Sequence, residues 1–76
     1  MNKKDIDELK IRKKIGSNIE YWRKQKGFTQ SQVASLLDVS NRTVSNYENG
    51  LGIDAVLLYS LSILFGCNIQ DFFMEM

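Results

Sequence analysis

GFTQSQVASLLDVSNRTVSNYENG, residues 27–50, holds two short segments with a helical pattern and only a few residues between them. Each segment follows a polar residue that is typical of a helix N-cap, with an apolar residue before it and another four positions after it. Thr29 is this residue for the first segment and Ser40 for the second. Two helices, 30–37 and 41–49, are therefore predicted on either side of a tight turn.

The same signature occurs twice more towards the carboxyl end, at Asp54 and Asn68. Upstream, apolar residues at helical spacing predict one buried stripe on a first helix: Ile11, Ile15, Ile19 and Trp22. Asp5 and Glu8 offer a capping box for a start of this helix near Ile6. The predicted helices span residues 6–26, 30–37, 41–49, 55–65 and 69–75. Since strand-like alternation is rare, the expected fold class is all-α, with five compactly packed helices.

The length of the chain leaves room for one small domain only, because domains usually need about 100–200 residues. We predict a single domain over residues 1–76, with residues 1–5 as a flexible arm. The helix-turn-helix segment, 29–49, lies at its centre. A core this small must use nearly every apolar residue of the chain.

The composition excludes several kinds of site. Among 76 residues there is no histidine and no proline, and Cys67 is the one cysteine. The sequence therefore cannot form a disulfide framework or a Cys/His zinc cluster, and it has no Cys–His or Ser–His pair for nucleophilic catalysis. We expect a protein that is not an enzyme and that uses neither a cofactor nor a metal. No small-molecule ligand is evident from the sequence.

The charges are unevenly distributed, although the net charge is only +1. All ten basic residues lie in residues 1–42, whereas residues 43–76 carry acidic residues but no lysine or arginine. This asymmetry indicates one part that faces a polyanion and another that is buried or self-associates. The amino terminus lacks the apolar stretch of a secretory signal, and the longest apolar run, 55–65, is about half the ~20 residues of a membrane span. We expect a cytoplasmic protein without a membrane partner.

Two short helices joined by a tight turn form the helix-turn-helix arrangement, whose second helix can lie in the major groove of DNA. Such a helix needs polar or basic residues on its outer face, because base edges in the groove present hydrogen-bond donors and acceptors. In the helix predicted at 41–49, Val44 and Tyr47 face inwards. Its outward positions are polar: Asn41, Arg42, Ser45 and Asn46.

A longer set of motifs extends this pattern without gaps: Ile15-Gly16, Ile19, Trp22-Arg23, Gly27-Phe28-Thr29-Gln30, Val33-Ala34, Leu37, Val39-Ser40, Thr43-Val44, Tyr47-Glu48-Asn49-Gly50, Leu58, Leu61, Phe65-Gly66 and Phe72. With these motifs, residues 15–73 resemble the lambda-repressor-like helix-turn-helix family, also called the xenobiotic-response-element type. The resemblance implies a compact five-helix DNA-binding domain, usually that of a dimeric transcriptional regulator.

The resemblance also implies roles for individual residues. The base-reading positions of the family correspond to Asn41, Arg42 and Asn46, with Thr43 and Ser45 beside them. Its phosphate-contacting positions correspond to Gln30, Ser40 and Asn49. Arg23 and Glu48 correspond to a partly buried ion pair between the first and third helices. The basic cluster of the first helix is either a solvated face or a phosphate contact, and we predict phosphate contacts for Lys13 and Lys14.

Two departures from the family pattern bear on the site. The family usually has glycine in the turn where Asp38 stands, although aspartate adopts a left-handed backbone more readily than most residues. Basic residues commonly follow the Glu-x-Gly motif of the family, whereas Leu51 and Gly52 stand here. The missing cations lower the affinity for phosphate that we expect.

The fourth predicted helix carries surplus apolar residues. Val56, Tyr59 and Ile63 occupy positions that are usually polar in the family, which leaves two interpretations. They either enlarge the core or form a self-association surface, because monomers seldom expose contiguous apolar patches. The predicted dimer contacts are Tyr59, Ile63, Phe73 and Met74.

The expected function is that of a sequence-specific double-stranded DNA-binding transcriptional regulator, in particular a repressor that binds a palindromic operator as a homodimer. The alternative is a protein-binding module of the antitoxin or antirepressor type, which uses the same helical scaffold and has lost DNA binding. A steep salt dependence of duplex binding favours the regulator. A tight stoichiometric protein partner without retention on DNA favours the module.

Overall fold

The computed structural model describes residues 7–75, which contain helices and no strand. Four α-helices follow one another: α1 over Glu8–Gln25, α2 over Gln30–Leu37, α3 over Asn41–Glu48 and α4 over Ala55–Phe65. A 3₁₀ helix over Ile69–Phe73 completes the fold. The all-α class is confirmed, but the last element is shorter than the predicted 69–75 and is not an α-helix. The predicted arm, residues 1–5, lies outside the described residues.

The four helix starts predicted at Thr29, Ser40, Asp54 and Asn68 are confirmed. Hydrogen bonds at these starts satisfy backbone N–H groups that no helical carbonyl can reach. At α2, the Thr29 hydroxyl accepts from the Gln32 N–H at 3.1 Å, and Gln32 Oε1 accepts from the Thr29 N–H at 2.8 Å. At α3, Ser40 Oγ accepts from the Thr43 N–H at 3.1 Å. At α4, Asp54 Oδ1 accepts from the Leu57 N–H at 2.8 Å. At the 3₁₀ helix, the backbone N–H of Asn68 donates to Asp71 Oδ2 at 2.9 Å.

The start of α1 differs from the prediction. The helix begins at Glu8 rather than near Ile6, and its N-cap is Asp7 rather than Asp5. Asp7 Oδ1 accepts from the Lys10 N–H at 3.2 Å, which gives the first turn a side-chain cap. Both aspartates precede the apolar stripe, but the prediction considered only Asp5.

The predicted stripe of α1 is buried only from Ile15 onwards. Ile15 and Ile19 belong to the core and Trp22 packs against it, whereas Ile11 is 45% exposed. The prediction was wrong for Ile11 because α1 has 18 residues while α2 and α3 have 8 each. The first turns of α1 therefore extend past the elements that cover the rest of the helix.

One hydrophobic core connects all five elements. Its fully buried side chains come from every helix: Ile19 of α1, Val33 of α2, Val44 of α3, Leu61 and Phe65 of α4, and Phe72 of the 3₁₀ helix. Phe65 lies at the centre of an aromatic group, with ring centroids 6.0 Å from Phe28 and 6.5 Å from Phe72. The Phe65–Phe72 pair is edge-on, and such packing adds to the free energy gained from buried area.

A buried asparagine of α1 holds the carboxyl-terminal segment in place. Asn18 Nδ2 donates to the carbonyl of Phe72 at 2.8 Å and to the carbonyl of Met74 at 2.7 Å. These bonds satisfy both amide hydrogens of a side chain that is almost fully buried. No sequence pattern pointed to Asn18, since its partners lie more than 50 positions away.

Candidate nucleic-acid interface

The turn between α2 and α3 depends on one residue in the left-handed conformation. Asp38 has φ 58° and ψ 47°, the left-handed backbone that the sequence resemblance led us to expect at this position. Its N–H donates to the Ser35 carbonyl at 3.2 Å, and the N–H of Val39 donates to the Ala34 carbonyl at 2.9 Å. These bonds close the carboxyl end of α2 in the way a C-terminal glycine usually does. The direction of α3 relative to α2 is thereby fixed.

α3 buries one face and exposes another. Val44 is fully buried and Tyr47 packs against the core, as predicted. The five predicted base contacts divide into an exposed pair, Asn41 and Arg42, and a half-buried group, Thr43, Ser45 and Asn46. The first turn of α3 is therefore the part most open to a ligand.

Two hydroxyls hold the first turn of α3 together. Ser40, the predicted phosphate contact, and Thr43, a predicted base contact, are joined by a hydrogen bond of 2.9 Å between their side-chain oxygens. Ser40 Oγ also accepts from the Thr43 N–H. Because Thr43 is half-buried and bonded to the cap, its placement supports a structural role in this turn, and its base contact stays a prediction.

Asn41 has a partner on the neighbouring helix. Its Nδ2 donates to Ser31 Oγ at 2.8 Å, between two exposed side chains at the starts of α3 and α2. Ser31 was not among the predicted site residues. Its position one residue after Gln30 placed it near the predicted phosphate contact, but nothing local to it indicated a bond across the turn.

Arg23 and Glu48 form a two-point ion pair between α1 and the end of α3. Arg23 Nε donates to Glu48 Oε2 at 2.5 Å and Arg23 Nη2 donates to Glu48 Oε1 at 3.2 Å. Their side chains are only 9% and 5% exposed. Arg23 Nη1 also donates to the Phe28 carbonyl at 2.9 Å. The guanidinium therefore connects α1 with the segment before α2 and with the end of α3.

Gln30 joins the same network. Its Nε2 donates to Glu48 Oε1 at 3.0 Å, which connects the first residue of α2 to the last residue of α3. Only one of the two amide hydrogens is used in this bond, so the other can still donate to an outside acceptor such as a phosphate oxygen. Glu48 thus fixes the orientation of a residue predicted to contact phosphate.

The remaining predicted phosphate contacts are placed differently from one another. Asn49 is exposed at the end of α3, where its Nδ2 donates to the Ser45 carbonyl at 2.9 Å. Lys13 is exposed on α1. Lys14 forms an ion pair with Glu75 instead, on the side of α1 that faces the carboxyl-terminal segment. The placement of Lys14 does not support its predicted role.

α1 and the end of α3 approach each other closely at two glycines. An added Cβ at Gly16 would lie 2.6 Å from the Glu48 carbonyl oxygen and 2.7 Å from the backbone nitrogen of Gly50. An added Cβ at Gly50, where φ is +88°, would lie 2.7 Å from the backbone of Arg12. Backbone-to-backbone packing without side chains therefore sets the position of α3 on α1.

The surplus apolar residues of α4 lie on the surface. Val56, Tyr59 and Ile63 are 76%, 62% and 66% exposed, and Phe73 and Met74 are also exposed. The interpretation that the three α4 residues enlarge the core is therefore wrong. Their spacing of three and four positions puts them on one face of α4, which forms an unpartnered apolar stripe.

Other kinds of site find little support in the described residues. Within residues 7–75 there is no group of three His, Cys, Asp or Glu residues close enough to hold a metal. None of the helices there combines the length and the apolar character that crossing a bilayer requires. Burial raises the pKa of the Cys67 thiol, as does the nearby Asp71 carboxylate, so the thiol lacks the activation that reactive cysteines need.

Comparison with known proteins adds an independent observation. The family model described as helix-turn-helix matches residues 19–72. The chain belongs to the lambda-repressor-like helix-turn-helix family. A relative in Acinetobacter baylyi, the competence pilus inhibition repressor, is 34% identical over 61 residues, which are 79% of this chain and 56% of that protein. The match thus covers little more than half of the relative's length.

The part that matches the helix-turn-helix family contains the whole segment described above. It includes α2, the turn, α3 and every predicted base contact. Lys13, Lys14, Phe73 and Met74 lie outside it. The family therefore supports the interpretation as a DNA-binding transcriptional regulator at the residues where the structure exposes a polar helix face.

Proposed function

We propose that this chain is a sequence-specific double-stranded DNA-binding transcriptional regulator whose α3 lies in the major groove. The observation that carries the proposal is the exposed first turn of α3, where Asn41 and Arg42 stand beside each other. Arginine pairs with guanine and asparagine with adenine, each through two hydrogen bonds to the base edge. The half-buried Ser45 and Asn46 extend the same helix deeper into the groove.

Phosphate contacts orient this helix on the duplex. Gln30 offers a free amide hydrogen, Ser40 and Asn49 lie at the two ends of α3, and Lys13 adds a cation from α1. Contacts of this kind fix the register of a protein on DNA but do not read its sequence. In this proposal, residues 1–76 form a single DNA-binding domain.

Regulation is by repression, in which the bound protein occludes or occupies a promoter without catalysing a reaction. The name of the related competence pilus inhibition repressor supports this choice over activation. The matched region covers only 56% of that protein. We therefore propose repression for this chain and do not transfer the whole activity of the relative to it.

The regulator binds a palindromic operator as a homodimer. A two-fold axis places two recognition helices about 34–36 Å apart, one turn of DNA, and gives the operator its symmetry. The exposed stripe of Val56, Tyr59 and Ile63 is the supporting observation, since a two-fold interface presents the same patch on both subunits. α4, Ala55–Phe65, contains no charged residue, so pairing this stripe with its copy brings no like charges of α4 together.

Selection of bound sequences from random duplexes, followed by titration of the enriched duplex at several salt concentrations, tests the proposal. We expect one enriched palindromic site and an affinity that falls linearly with the logarithm of the salt concentration. A chain that enriches no sequence, or that binds every duplex with the same affinity, would contradict sequence-specific recognition.

Arg42→Ala is expected to weaken binding to the enriched duplex by about 1–3 kcal/mol and to relax the base preference at one position, and Asn46→Ala should act similarly at another. Lys13→Ala is the matched comparison, because a lost phosphate contact weakens all sequences about equally and reduces the salt slope by about 1. Duplex titration with enriched and scrambled sequences measures both effects. Equal losses on both duplexes for Arg42→Ala would rule out base reading by this residue.

Ile63→Glu is expected to convert a dimer into a folded monomer with greatly weakened operator binding, because it buries a charge against an apolar partner. Phe73→Glu should do the same if the interface reaches the 3₁₀ helix. Leu36→Glu, at an exposed leucine of α2, serves as the control and should leave the dimer intact. Sedimentation measures the outcome. A wild-type chain that stays monomeric at high micromolar concentration, both free and on DNA, would contradict the homodimer.

A protein-binding module of the antitoxin or antirepressor type is the second candidate, and the exposed stripe on α4 is the observation that favours it. In that case the stripe contacts a different protein and α3 reads no DNA. Stoichiometric capture of such a partner, together with duplex binding that is weak at all salt concentrations, would select the module over the regulator.

A further inference from the structure

We propose that Ser31 is a positioning residue that fixes the side-chain amide of Asn41 and thereby restricts it to reading adenine. The proposal rests on the DNA-binding function proposed above and deepens it. Ser31 belongs to α2 and Asn41 to α3, and the 2.8 Å bond from Asn41 Nδ2 to Ser31 Oγ crosses between them.

The chemistry of the amide explains why one bond changes its specificity. A free asparagine amide carries two N–H donors and an oxygen acceptor, and it can rotate to present either end. In the structure, the bond to Ser31 uses one donor and stabilises the orientation in which the amide oxygen stays free. The amide then presents one donor and one acceptor side by side.

This remaining pattern matches adenine and no other base. Adenine presents the N7 acceptor next to the N6 donor in the major groove, whereas guanine presents two adjacent acceptors, N7 and O6. Cytosine offers only a donor and thymine only an acceptor with its methyl group. In the observed orientation, Ser31 therefore occupies the second donor that an Asn41 amide would need against guanine.

The partner of Asn41 is itself held firmly. Ser31 lies inside the capping box of α2, between Thr29 and Gln32, whose reciprocal bonds measure 2.8 and 3.1 Å. The Ser40 cap fixes the start of α3 on the other side. With both backbones fixed, the hydrogen bond sets the Asn41 side chain before DNA arrives, which reduces the ordering required on binding.

The test compares base preferences of four proteins: wild type, Ser31→Ala, Ser31→Thr and Asn41→Ala. The base pair that Asn41 reads is identified as the operator position at which Asn41→Ala loses the preference for adenine. We expect Ser31→Ala to lower the preference for adenine there about fivefold, the size of one ordinary hydrogen bond, while preferences elsewhere stay unchanged. Ser31→Thr keeps the hydroxyl and should keep the preference. In the Asn41→Ala background, Ser31→Ala should have no further effect on that position.

Modified duplexes sharpen the comparison. Replacing this adenine by 7-deazaadenine removes the N7 acceptor, and replacing it by purine removes the 6-amino donor. Wild type should lose affinity on both, and Ser31→Ala should lose less on each. An unchanged adenine preference in Ser31→Ala, or an equal loss of affinity on all base pairs in both backgrounds, would overturn the positioning role.

A measurement on the free protein separates this proposal from the function on which it rests. The side-chain amide resonances of Asn41 should shift in Ser31→Ala and remain near their wild-type values in Ser31→Thr. If wild type prefers no duplex although these resonances behave as expected, the DNA-binding function fails while the Ser31–Asn41 bond stands. If wild type selects its operator but Ser31→Ala changes neither the resonances nor the adenine preference, only the positioning role fails.

Discussion

Glu48→Ala is expected to lower the free energy of unfolding by about 3–5 kcal/mol, the usual loss when one member of a buried ion pair is removed. The carboxylate accepts hydrogen bonds from Arg23 Nε, Arg23 Nη2 and Gln30 Nε2. Without it, the buried guanidinium keeps the Phe28 carbonyl and only the half-exposed Glu20 carboxylate, 3.9 Å away, so most of the compensation of its charge is lost. A chain of this size has a total stability of roughly 4–11 kcal/mol, at ~0.05–0.15 kcal/mol per residue. The substitution therefore removes a large part of it.

Urea denaturation followed by circular dichroism measures this effect, with Glu20→Ala as the matched control. Glu20 is a half-exposed residue of α1 whose carboxylate lies 3.3 Å from Lys24 and 3.9 Å from Arg23. Surface pairs of this kind contribute about 0–1 kcal/mol, so the control should unfold close to wild type. Similar midpoints for both variants would mean that the pair between α1 and α3 does not stabilise the fold.

Glu48→Gln separates charge from shape in the same experiment. The amide keeps the size of the side chain and one acceptor oxygen, but it removes the negative charge that compensates Arg23. We expect its stability to lie between those of wild type and Glu48→Ala, because the partial dipole of an amide replaces only part of the lost interaction.

The helix starts could be predicted because their determinants are local. Thr29, Ser40 and Asp54 bond to backbone N–H groups three residues away, and the apolar residues around each cap are equally close in sequence. A pattern within six residues therefore contains all of the relevant physics. The inward positions of α3 followed for the same reason, since Val44 and Tyr47 repeat at helical spacing.

The last helix could not be predicted in full because its end depends on a distant residue. The spacing of apolar residues in 69–75 is compatible with an α-helix, but Asn18 of α1 takes the carbonyls of Phe72 and Met74. The observed 3₁₀ helix ends at Phe73, between the two carbonyls that Asn18 holds. The exposure of Ile11 has a similar origin, since it depends on how far the neighbouring elements reach along α1.

In the candidate site, too, features with local determinants could be predicted and features that depend on distant residues could not. The exposed Asn41 and Arg42 follow from the position of the Ser40 cap, which the sequence contains. The bond between Asn41 and Ser31 joins residues ten positions apart, and the pairing of Lys14 with Glu75 joins residues 61 positions apart. Contacts across a fold have no periodic signal in a single sequence, so neither could be read from it.

Gly16→Ala is expected to displace α3 from α1 and to weaken operator binding strongly. An alanine Cβ would lie 2.6 Å from the Glu48 carbonyl oxygen and 2.7 Å from the Gly50 nitrogen. Both are backbone atoms at the end of α3, so no side-chain rotation can relieve the contact, and the helix itself must move. Because α3 is one unbroken helix of 8 residues, we expect displacement at its end to shift Asn41 and Arg42 as well, relative to the phosphate contacts of α1 and α2.

Two opposing terms determine the stability of this variant. Overpacking a tight contact costs about 1–3 kcal/mol, whereas replacing a helical glycine by alanine returns up to about 1 kcal/mol of helix propensity. We expect the first term to win, since backbone atoms yield less than side chains do. Ser17→Ala, at the exposed neighbouring position of α1, gains propensity without any contact and should be neutral or slightly stabilising.

Denaturation and duplex titration of Gly16→Ala and Ser17→Ala together decide between a tight contact and a loose one. If α1 and α3 pack through their backbones, Gly16→Ala is less stable than Ser17→Ala and loses affinity for the operator even at temperatures where it is fully folded. If both variants gain stability equally and bind DNA like wild type, the helices are not in close contact at this point. In that case Glu48 alone must hold the end of α3, and its ion pair with Arg23 would be the main determinant of where α3 meets DNA.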